Sequence, residues 1–246
     1  RRRGMTMVEV LTAMSIIVIL AALIIGAGTA VFRNQRTKQT KGLLTSLDRM
    51  VEEFYVETDG RIPLYNAADY VGVPGRGNRL EMYNGASHPR FPDCSVFISQ
   101  VRGVGAVDDI LAGIDSRFPV LTPEPTDSPD DFKRQQPSVV DSWAIEDWAV
   151  RSEDWDISQQ QVVLYVHPDN DLAQALYGRC VNGRPYFVSS GPDTFYGLPF
   201  EIDEILLYYN LDPTLDVQEV LRRARADNIY SYTVKTDFDV PSALLP

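Results

Sequence analysis

The sequence predicts an α+β fold in which one long N-terminal helix packs on a small antiparallel sheet. A stretch of 23 residues, Val10 to Phe32, contains no Asp, Glu, Lys or Arg. Beyond it, apolar residues recur at helical spacings of three and four as far as Phe54. Short runs rich in β-branched and aromatic residues follow only after residue 160, which places the strands in the C-terminal part of the chain.

Composition narrows the functional class. The chain has 246 residues, of which 44% are hydrophobic and 23% charged, as in ordinary globular proteins. Its 23 basic and 34 acidic residues give a net charge of −11, which argues against a nucleic-acid partner because phosphate binding requires a basic face. Two histidines and two cysteines do not supply the usual Cys/His zinc sites. We find no nucleophile elbow and no His-Glu-x-x-His helix, and we predict that the protein is not an enzyme.

The uncharged stretch predicts a membrane-spanning segment. At about 1.5 Å per residue it reaches roughly 34 Å, enough for a hydrocarbon core of about 30 Å. We therefore assign residues 5–32 to the transmembrane half of the N-terminal helix. An ordinary secretory signal has a shorter apolar centre of about 7–15 residues. Gly28-Thr29-Ala30 nevertheless leaves a signal-peptidase site open as an alternative.

A carboxylate interrupts the apolar pattern at Glu9, where it would cost a few kcal/mol in lipid unless it is paired or lies at the headgroup boundary. It ends the segment RRRGMTMVE, residues 1–9, in which a basic cluster, Gly4, the apolar Met5 and Glu9 precede the long apolar helix. This order and spacing resemble the start of type IV prepilins and of the pseudopilins of type II secretion systems.

The resemblance implies a processing step and an assembly step. A prepilin peptidase would cleave between Gly4 and Met5 on the cytoplasmic side and methylate the new amino terminus, so that residues 1–4 are the remnant of a leader. Glu9 would pair with the N-terminal amine of a neighbouring subunit. Opposite charges attract strongly at low dielectric, and each is costly when it is unpaired. The implied location is the bacterial inner membrane, with a short cytoplasmic N-terminus and a periplasmic head.

Residues 33–58 are predicted to continue the helix outside the membrane. Its apolar stripe consists of Leu43, Leu44, Leu47, Met50, Val51 and Phe54. Gly60 and Pro63 are expected to end the helix. By resemblance, residues 59–246 form a pilin-like roll with a long variable loop at about 64–140. Within that loop we expect a helix from Cys94 to Gly113 and an exposed connection without strands over 119–137.

The sheet is predicted from three runs, Val162–Val166, Pro185–Val188 and Asp227–Tyr232, with a helix from Thr214 to Ala226 before the last. Two further segments resemble parts of major pseudopilins. Residues 141–144, Asp-Ser-Trp-Ala, resemble the Asp-Pro-Trp-Gly turn that opens their sheet, with Ser and Ala in place of Pro and Gly. Residues 189–193, Ser-Ser-Gly-Pro-Asp, resemble their Ser-x-Gly-x-Asp segment.

Major pseudopilins bind calcium after that segment, and the resemblance implies a calcium site here. Its expected ligands are Asp193, Asp203 and Asp227, with Glu201 as a further helper, because Ca²⁺ prefers carboxylate oxygens. Solvated acidic loops are the alternative.

The two cysteines, Cys94 and Cys180, favour a disulfide in an oxidising compartment, with two buried thiols as the alternative. Trp143, Trp148 and Trp155 are expected to anchor the core, and His167 to end a strand.

We predict a structural subunit of a type II secretion pseudopilus. Its expected partners are prepilin peptidase, other pilin or pseudopilin subunits and an inner-membrane assembly platform. A major or minor subunit of a type IV pilus is the alternative within the same class. A periplasmic binding protein or enzyme that uses the helix only as a membrane tether is the alternative from another class.

Overall fold

The computed structural model describes the backbone of residues 7–63, 94–123, 135–143, 163–235 and 238–245. Side chains are described for all of these except 9, 23–27, 30, 95–96, 119–123, 135–138, 200 and 244. The described part is an α+β fold with an N-terminal helix and a small three-stranded antiparallel sheet.

The first element is helix α1, Met7–Glu57. It ends where the chain turns through left-handed conformations, with φ of 55° at Asp59 and 88° at Gly60. The N–H of Gly60 donates to the carbonyl of Tyr55 at 2.8 Å, the kind of bond with which a glycine commonly closes a helix. The hydroxyl of Tyr165 then donates to the carbonyl of Pro63 at 2.7 Å and ties the chain leaving the helix to the sheet.

The two halves of α1 have different surroundings. Every described side chain from Met7 to Phe32 is exposed, apart from half-buried Gly28. Across the ranges given above, we find no helix with the length and apolarity needed to cross a membrane. The transmembrane assignment of residues 5–32 is therefore not confirmed.

The apolar stripe of the second half is confirmed. Leu43, Leu44, Leu47, Met50 and Val51 are buried, and Phe54 packs beside them.

The region between α1 and the sheet contains more structure than the sequence predicts. The single helix expected from Cys94 to Gly113 is observed as two short helices, α2 (Cys94–Val101) and α3 (Gly105–Gly113). They separate at Gly103, whose φ of 90° is in the left-handed region. The expectation that 119–137 is a connection without strands is wrong. Strands β1 (Pro119–Pro123) and β2 (Gln135–Val139) form an antiparallel pair in which Leu121 lies opposite Pro137.

The prolines in these two segments explain why the sequence did not predict the strand pair. Proline cannot donate a ladder hydrogen bond, but an edge strand tolerates it on the unpaired side. In a two-stranded sheet both strands are edges. The N–H of Val163 donates to the carbonyl of Val139 at 2.8 Å. This bond joins the end of β2 to the residue that precedes the first strand of the main sheet.

The main sheet has the order β3-β4-β5, all antiparallel. Its strands are β3 (Leu164–Val166), β4 (Tyr186–Ser189) and β5 (Ile229–Tyr230), which confirms the three predicted strand runs in shortened form. Helix α4 (Asp171–Tyr177) lies between β3 and β4, and α5 (Ile202–Tyr208) and α6 (Val217–Arg225) lie between β4 and β5. Helix α6 confirms the helix predicted from Thr214 to Ala226.

Alternation along the strands gives the sheet two apolar faces. Tyr165, Phe187 and Ile229 point to the face that α1, α2 and α3 cover. Leu164, Val166, Tyr186 and Val188 point to the opposite face, which packs with α4, α5 and α6. The sheet is therefore the central layer between two helical layers.

This layering explains why the favoured disulfide is not formed. Cys94 and Cys180 are both free thiols in the structure. Cys94 is buried on the α1 face of the sheet, whereas Cys180 packs on the opposite face and its thiol approaches the carbonyl of Val166. Sequence separation could not show that the two residues belong to different cores.

The packing predicts how much the stripe contributes to stability. Leu47→Ala should lower the free energy of unfolding by about 2–5 kcal/mol, because the fully buried side chain would leave a cavity. Val56→Ala, at a position 72% exposed on the same helix, should change it by no more than about 0.5 kcal/mol. Denaturant unfolding of the full chain in detergent, followed by circular dichroism, measures both. Equal effects would contradict this description of the core.

Candidate functional site

The first site predicted from the sequence is the N-terminal segment. Gly4 and Met5 lie outside the described residues. Glu9 is the third residue of α1, and its side chain is also outside the description. Its described apolar neighbours are exposed, Met7 by 80%, Val8 by 71% and Leu11 by 55%. No described part of the head covers these three side chains, so this end of the helix is available to lipid or to another chain.

A second feature is a turn that fastens α1 to the sheet. The hydroxyl of Ser142 donates to the carbonyl of Arg36 at 2.7 Å and lies 2.7 Å from the hydroxyl of Thr40. The guanidinium of Arg36 stacks over the ring of Trp143 at 5.5 Å. All four residues lie in α1 or in the Asp-Ser-Trp segment, so the segment resembling the sheet-opening turn of major pseudopilins holds the helix just beyond residue 32.

Asp141 connects this turn to the end of β4. It is buried, and its carboxylate accepts from the hydroxyl of Ser189 at 2.5 Å and from the N–H of Trp143 at 2.8 Å. The hydroxyl of Ser189 in turn accepts from the N–H of Gly191 at 3.1 Å. The two segments that resemble major pseudopilins, 141–144 and 189–193, are therefore hydrogen-bonded to each other.

Gly191 allows the chain after β4 to pass close to the loop between α6 and β5. Its φ is 73°, and a Cβ at this position would lie 2.4 Å from the carbonyl oxygen of Asp227. Both the left-handed conformation and the close approach require glycine here. The turn that follows, 191–193, brings Asp193 next to Asp227.

Asp193, which is buried, and Asp227, which is half-buried, form a carboxyl pair. Asp193 accepts from the N–H of Phe195 at 3.0 Å and from the hydroxyl of Tyr209 at 2.6 Å. Burial raises the pKa of both carboxyl groups, and for Asp227 the neighbouring Asp193 adds to the effect. One proton held between two adjacent carboxyls relieves their repulsion, so the pair titrates as a unit.

Glu201 lies nearby as a further buried carboxyl. Burial raises its pKa to about 8, although its carboxylate accepts from the N–H of Leu198 at 2.7 Å and from the N–H of Tyr196 at 3.4 Å. These bonds shape the turn that leads into α5. Glu201 therefore has a structural role in this turn.

The calcium ligands predicted from the sequence are only partly brought together. Asp203 is exposed in the first turn of α5. Within the described ranges, no group of three His, Cys, Asp or Glu side chains could hold a metal ion, so the three predicted carboxylates do not form one cluster. The oxygens that suit Ca²⁺ here are the carboxylate oxygens of Asp193 and Asp227. The Oδ1 of the next residue, Asn228, is buried without a hydrogen-bond donor. Calcium binding at this pair stays a prediction.

The remaining candidates have structural surroundings. His167 is buried at the end of β3, and its Nδ1 accepts from the N–H of Asp169 at 3.1 Å, which confirms the predicted strand-end turn. Trp143 is half-buried against Arg36, and Trp148 and Trp155 lie outside the described residues. Sequence reasoning missed Tyr209 and the bond between Asp141 and Ser189, because both contacts depend on tertiary structure.

The carboxyl pair predicts a pH dependence of stability. The folded chain holds a proton that unfolded aspartates release near pH 4, so stability should fall as the pH rises from about 4 through the raised pKa values. Asp227→Asn supplies an amide donor in place of that proton. It should flatten the decline and raise the melting temperature at pH 8 by about 2–4 °C for each kcal/mol of repulsion removed.

Thermal unfolding of the full chain between pH 4.5 and 8.5 measures this effect. Asp203→Asn is the matched control, since it removes the same charge from an exposed position. An unchanged slope in Asp227→Asn would show that the pair does not hold the proton.

Comparison with known proteins bears on the N-terminal segment. Residues 1–25 match the family model described as the prokaryotic N-terminal methylation motif. No curated protein and no solved structure matches the chain. The matched segment contains Gly4, Met5 and Glu9, the residues on which the predicted resemblance depends. The chain therefore carries the prepilin-type N-terminal signature of pilins and pseudopilins.

Proposed function

We propose that this protein is a structural subunit of a filament, assembled through α1, and that the filament is the pseudopilus of a type II secretion system. The observation that carries the proposal is the methylation motif at residues 1–25, which includes the start of α1. The other half of the same helix is packed into the head. This arrangement suits a filament subunit. The free half of α1, with its processed N-terminus, would insert into the assembly, and the head that holds the other half would stay exposed.

In the proposed mechanism, prepilin peptidase removes residues 1–4 and leaves a methylated amine on Met5. Before assembly the helix anchors the chain in the inner membrane with the head in the periplasm. Glu9 is then a carboxylate among the apolar residues Met7, Val8, Val10 and Leu11, with a strong preference for a positive partner. The N-terminal amine of a neighbouring subunit supplies that partner during extraction by the assembly platform.

The head is proposed to be a pilin-like roll, in which α1 covers one face of the antiparallel sheet. Support for secretion rather than a surface pilus comes from segments 141–144 and 189–193, which resemble those of major pseudopilins and are bonded to each other. A type IV pilus subunit is the alternative within the class. Loss of secreted proteins in a deletion strain favours the pseudopilus, and loss of surface fibres favours the pilus.

A binding protein or enzyme tethered by its helix is the alternative from another class. It requires neither cleavage before Met5 nor a carboxylate at position 9. The methylation motif favours a structural subunit over this alternative. The variants Gly4→Ala and Glu9→Ala, described next, distinguish a filament subunit from a tethered binding protein or enzyme.

Gly4→Ala should block processing, because the peptidase is expected to require glycine before the cleaved bond. Immunoblots of membrane fractions from cells that express prepilin peptidase should show only the uncleaved chain. Ala30→Leu is the matched control, since it removes the small residue that signal peptidase would need and leaves the prepilin site intact. Normal cleavage of Gly4→Ala together with blocked cleavage of Ala30→Leu would assign the processing to signal peptidase instead of prepilin peptidase.

Glu9→Ala should leave a folded, processed chain that enters filaments at least tenfold less often, because the amine of the neighbouring subunit loses its only proposed counter-charge. Sheared-filament yield, compared with the membrane-bound pool, measures the effect. Glu9→Asp keeps the charge and should retain most of the assembly. Filament entry of Glu9→Ala at the normal rate would exclude the pairing mechanism.

A further inference from the structure

Helix α5 ends in an apolar surface, here called the α5 tip, formed by Leu207, Tyr208 and Tyr209. The three side chains are 84%, 57% and 36% exposed, respectively. The ring of Tyr208 packs edge-on against Phe195 at 5.4 Å and against Tyr209 at 5.0 Å. Tyr209 is held in turn by its hydrogen bond to Asp193. The tip therefore presents fixed aromatic rings, which lose little conformational entropy when a partner binds.

The surroundings of the α5 tip are acidic. The sequence between Arg184 and Arg222 contains no Lys or Arg. Its exposed acids are Asp203, Glu204, Asp212 and Asp216. Asp203 and Glu204 are exposed at the start of α5, and Asp212 is exposed just beyond its end. An apolar surface with an acidic rim favours a partner that is basic.

A surface of the opposite sign lies on α1, here called the basic band, formed by Arg33, Arg36, Lys38 and Lys41. All four side chains are exposed, and the next acidic residue after Glu9 is Asp48. None of the ion pairs between described residues involves the band. The aliphatic stems of lysine and arginine can cover apolar surface while their charged ends meet carboxylates.

We propose that the α5 tip of one subunit docks on the basic band of α1 in a second copy of this chain. The inference rests on the filament assembly proposed above and names the surfaces through which heads and helices meet. Within one chain the tip stays exposed and its acidic rim makes no ion pair with the band among the described residues. A contact between two different surfaces repeats from copy to copy, and it generates an open filament when its rotation does not close into a ring.

Cross-linking between two differently tagged copies tests this contact. One full-length copy carries Leu207→Cys and the other Lys38→Cys, both with Cys180→Ser and with the buried Cys94 unchanged. The copies are co-expressed in cells that assemble the filament, and membranes and filaments are then oxidised. A disulfide-linked product that contains both tags is expected. Val181→Cys, at another exposed apolar position, replaces Leu207→Cys in the control and should give several-fold less product.

Charge reversal provides an independent test. Lys41→Glu in the Lys38→Cys copy should lower the cross-link yield by about two- to fivefold, the effect of an exposed ion pair on an equilibrium constant. Glu204→Lys in the Leu207→Cys copy should restore it. These positions are exposed, so folding is expected to persist, and thermal unfolding of each variant checks this.

Several results would overturn the inference. Processed, Glu9-dependent filaments with no more product from Leu207→Cys than from Val181→Cys would exclude the docking and leave the proposed function intact. A failure of processing or of assembly in the unsubstituted chain would overturn both proposals. A fluorophore on Leu207→Cys that is quenched by nitroxide lipids, without a mixed-tag product, would assign the α5 tip to the membrane surface instead.

Discussion

The rest of the structure depends on the packing of α1 against one face of the three-stranded sheet. Leu44, Leu47 and Met50 are fully buried there, in the same core as Phe97 and Phe187. Burying a side chain of this kind contributes about 1.5–3 kcal/mol, so the contact is strong enough to make the outer half of the helix part of the head. The position of the free half then follows, because both halves belong to one helix.

Polar contacts add direction to this apolar packing. The bonds from Ser142 to Arg36 and from Ser189 to Asp141 join α1, the 141–143 turn and the end of β4. At the other end of the helix, Arg184 pairs with Asp48 and Glu52. Ser142 bonds to defined positions of α1 and Asp141 fastens the same turn to β4, so these contacts fix one register, whereas an apolar stripe alone would allow the helix to slide by a turn. We infer that the register of α1 on the head is set by these contacts.

Local sequence patterns predicted much of the fold but little of the candidate site. The α1 stripe, the three strands and α6 were predictable because each depends on periodicity within a few residues. The β1–β2 pair was missed because its prolines are typical of a loop and its pairing joins two strands that are not contiguous in the sequence. The predicted disulfide is not observed because Cys94 and Cys180 belong to different cores, which only the strand order reveals. Asp193 and Asp227 were predicted together by resemblance, but their contact depends on Gly191 passing beneath the loop before β5.

The central claim is that α1 begins at a processed, prepilin-type N-terminus. The most direct test is the intact mass and N-terminal sequence of the unsubstituted chain, purified from membranes of cells that express prepilin peptidase. The account predicts a chain that starts with N-methylated Met5. A chain that starts near Val31 would contradict the account and show that the first half of the helix is a cleaved signal. A chain that still carries Arg1–Gly4 would also contradict it and would leave the helix as a membrane tether.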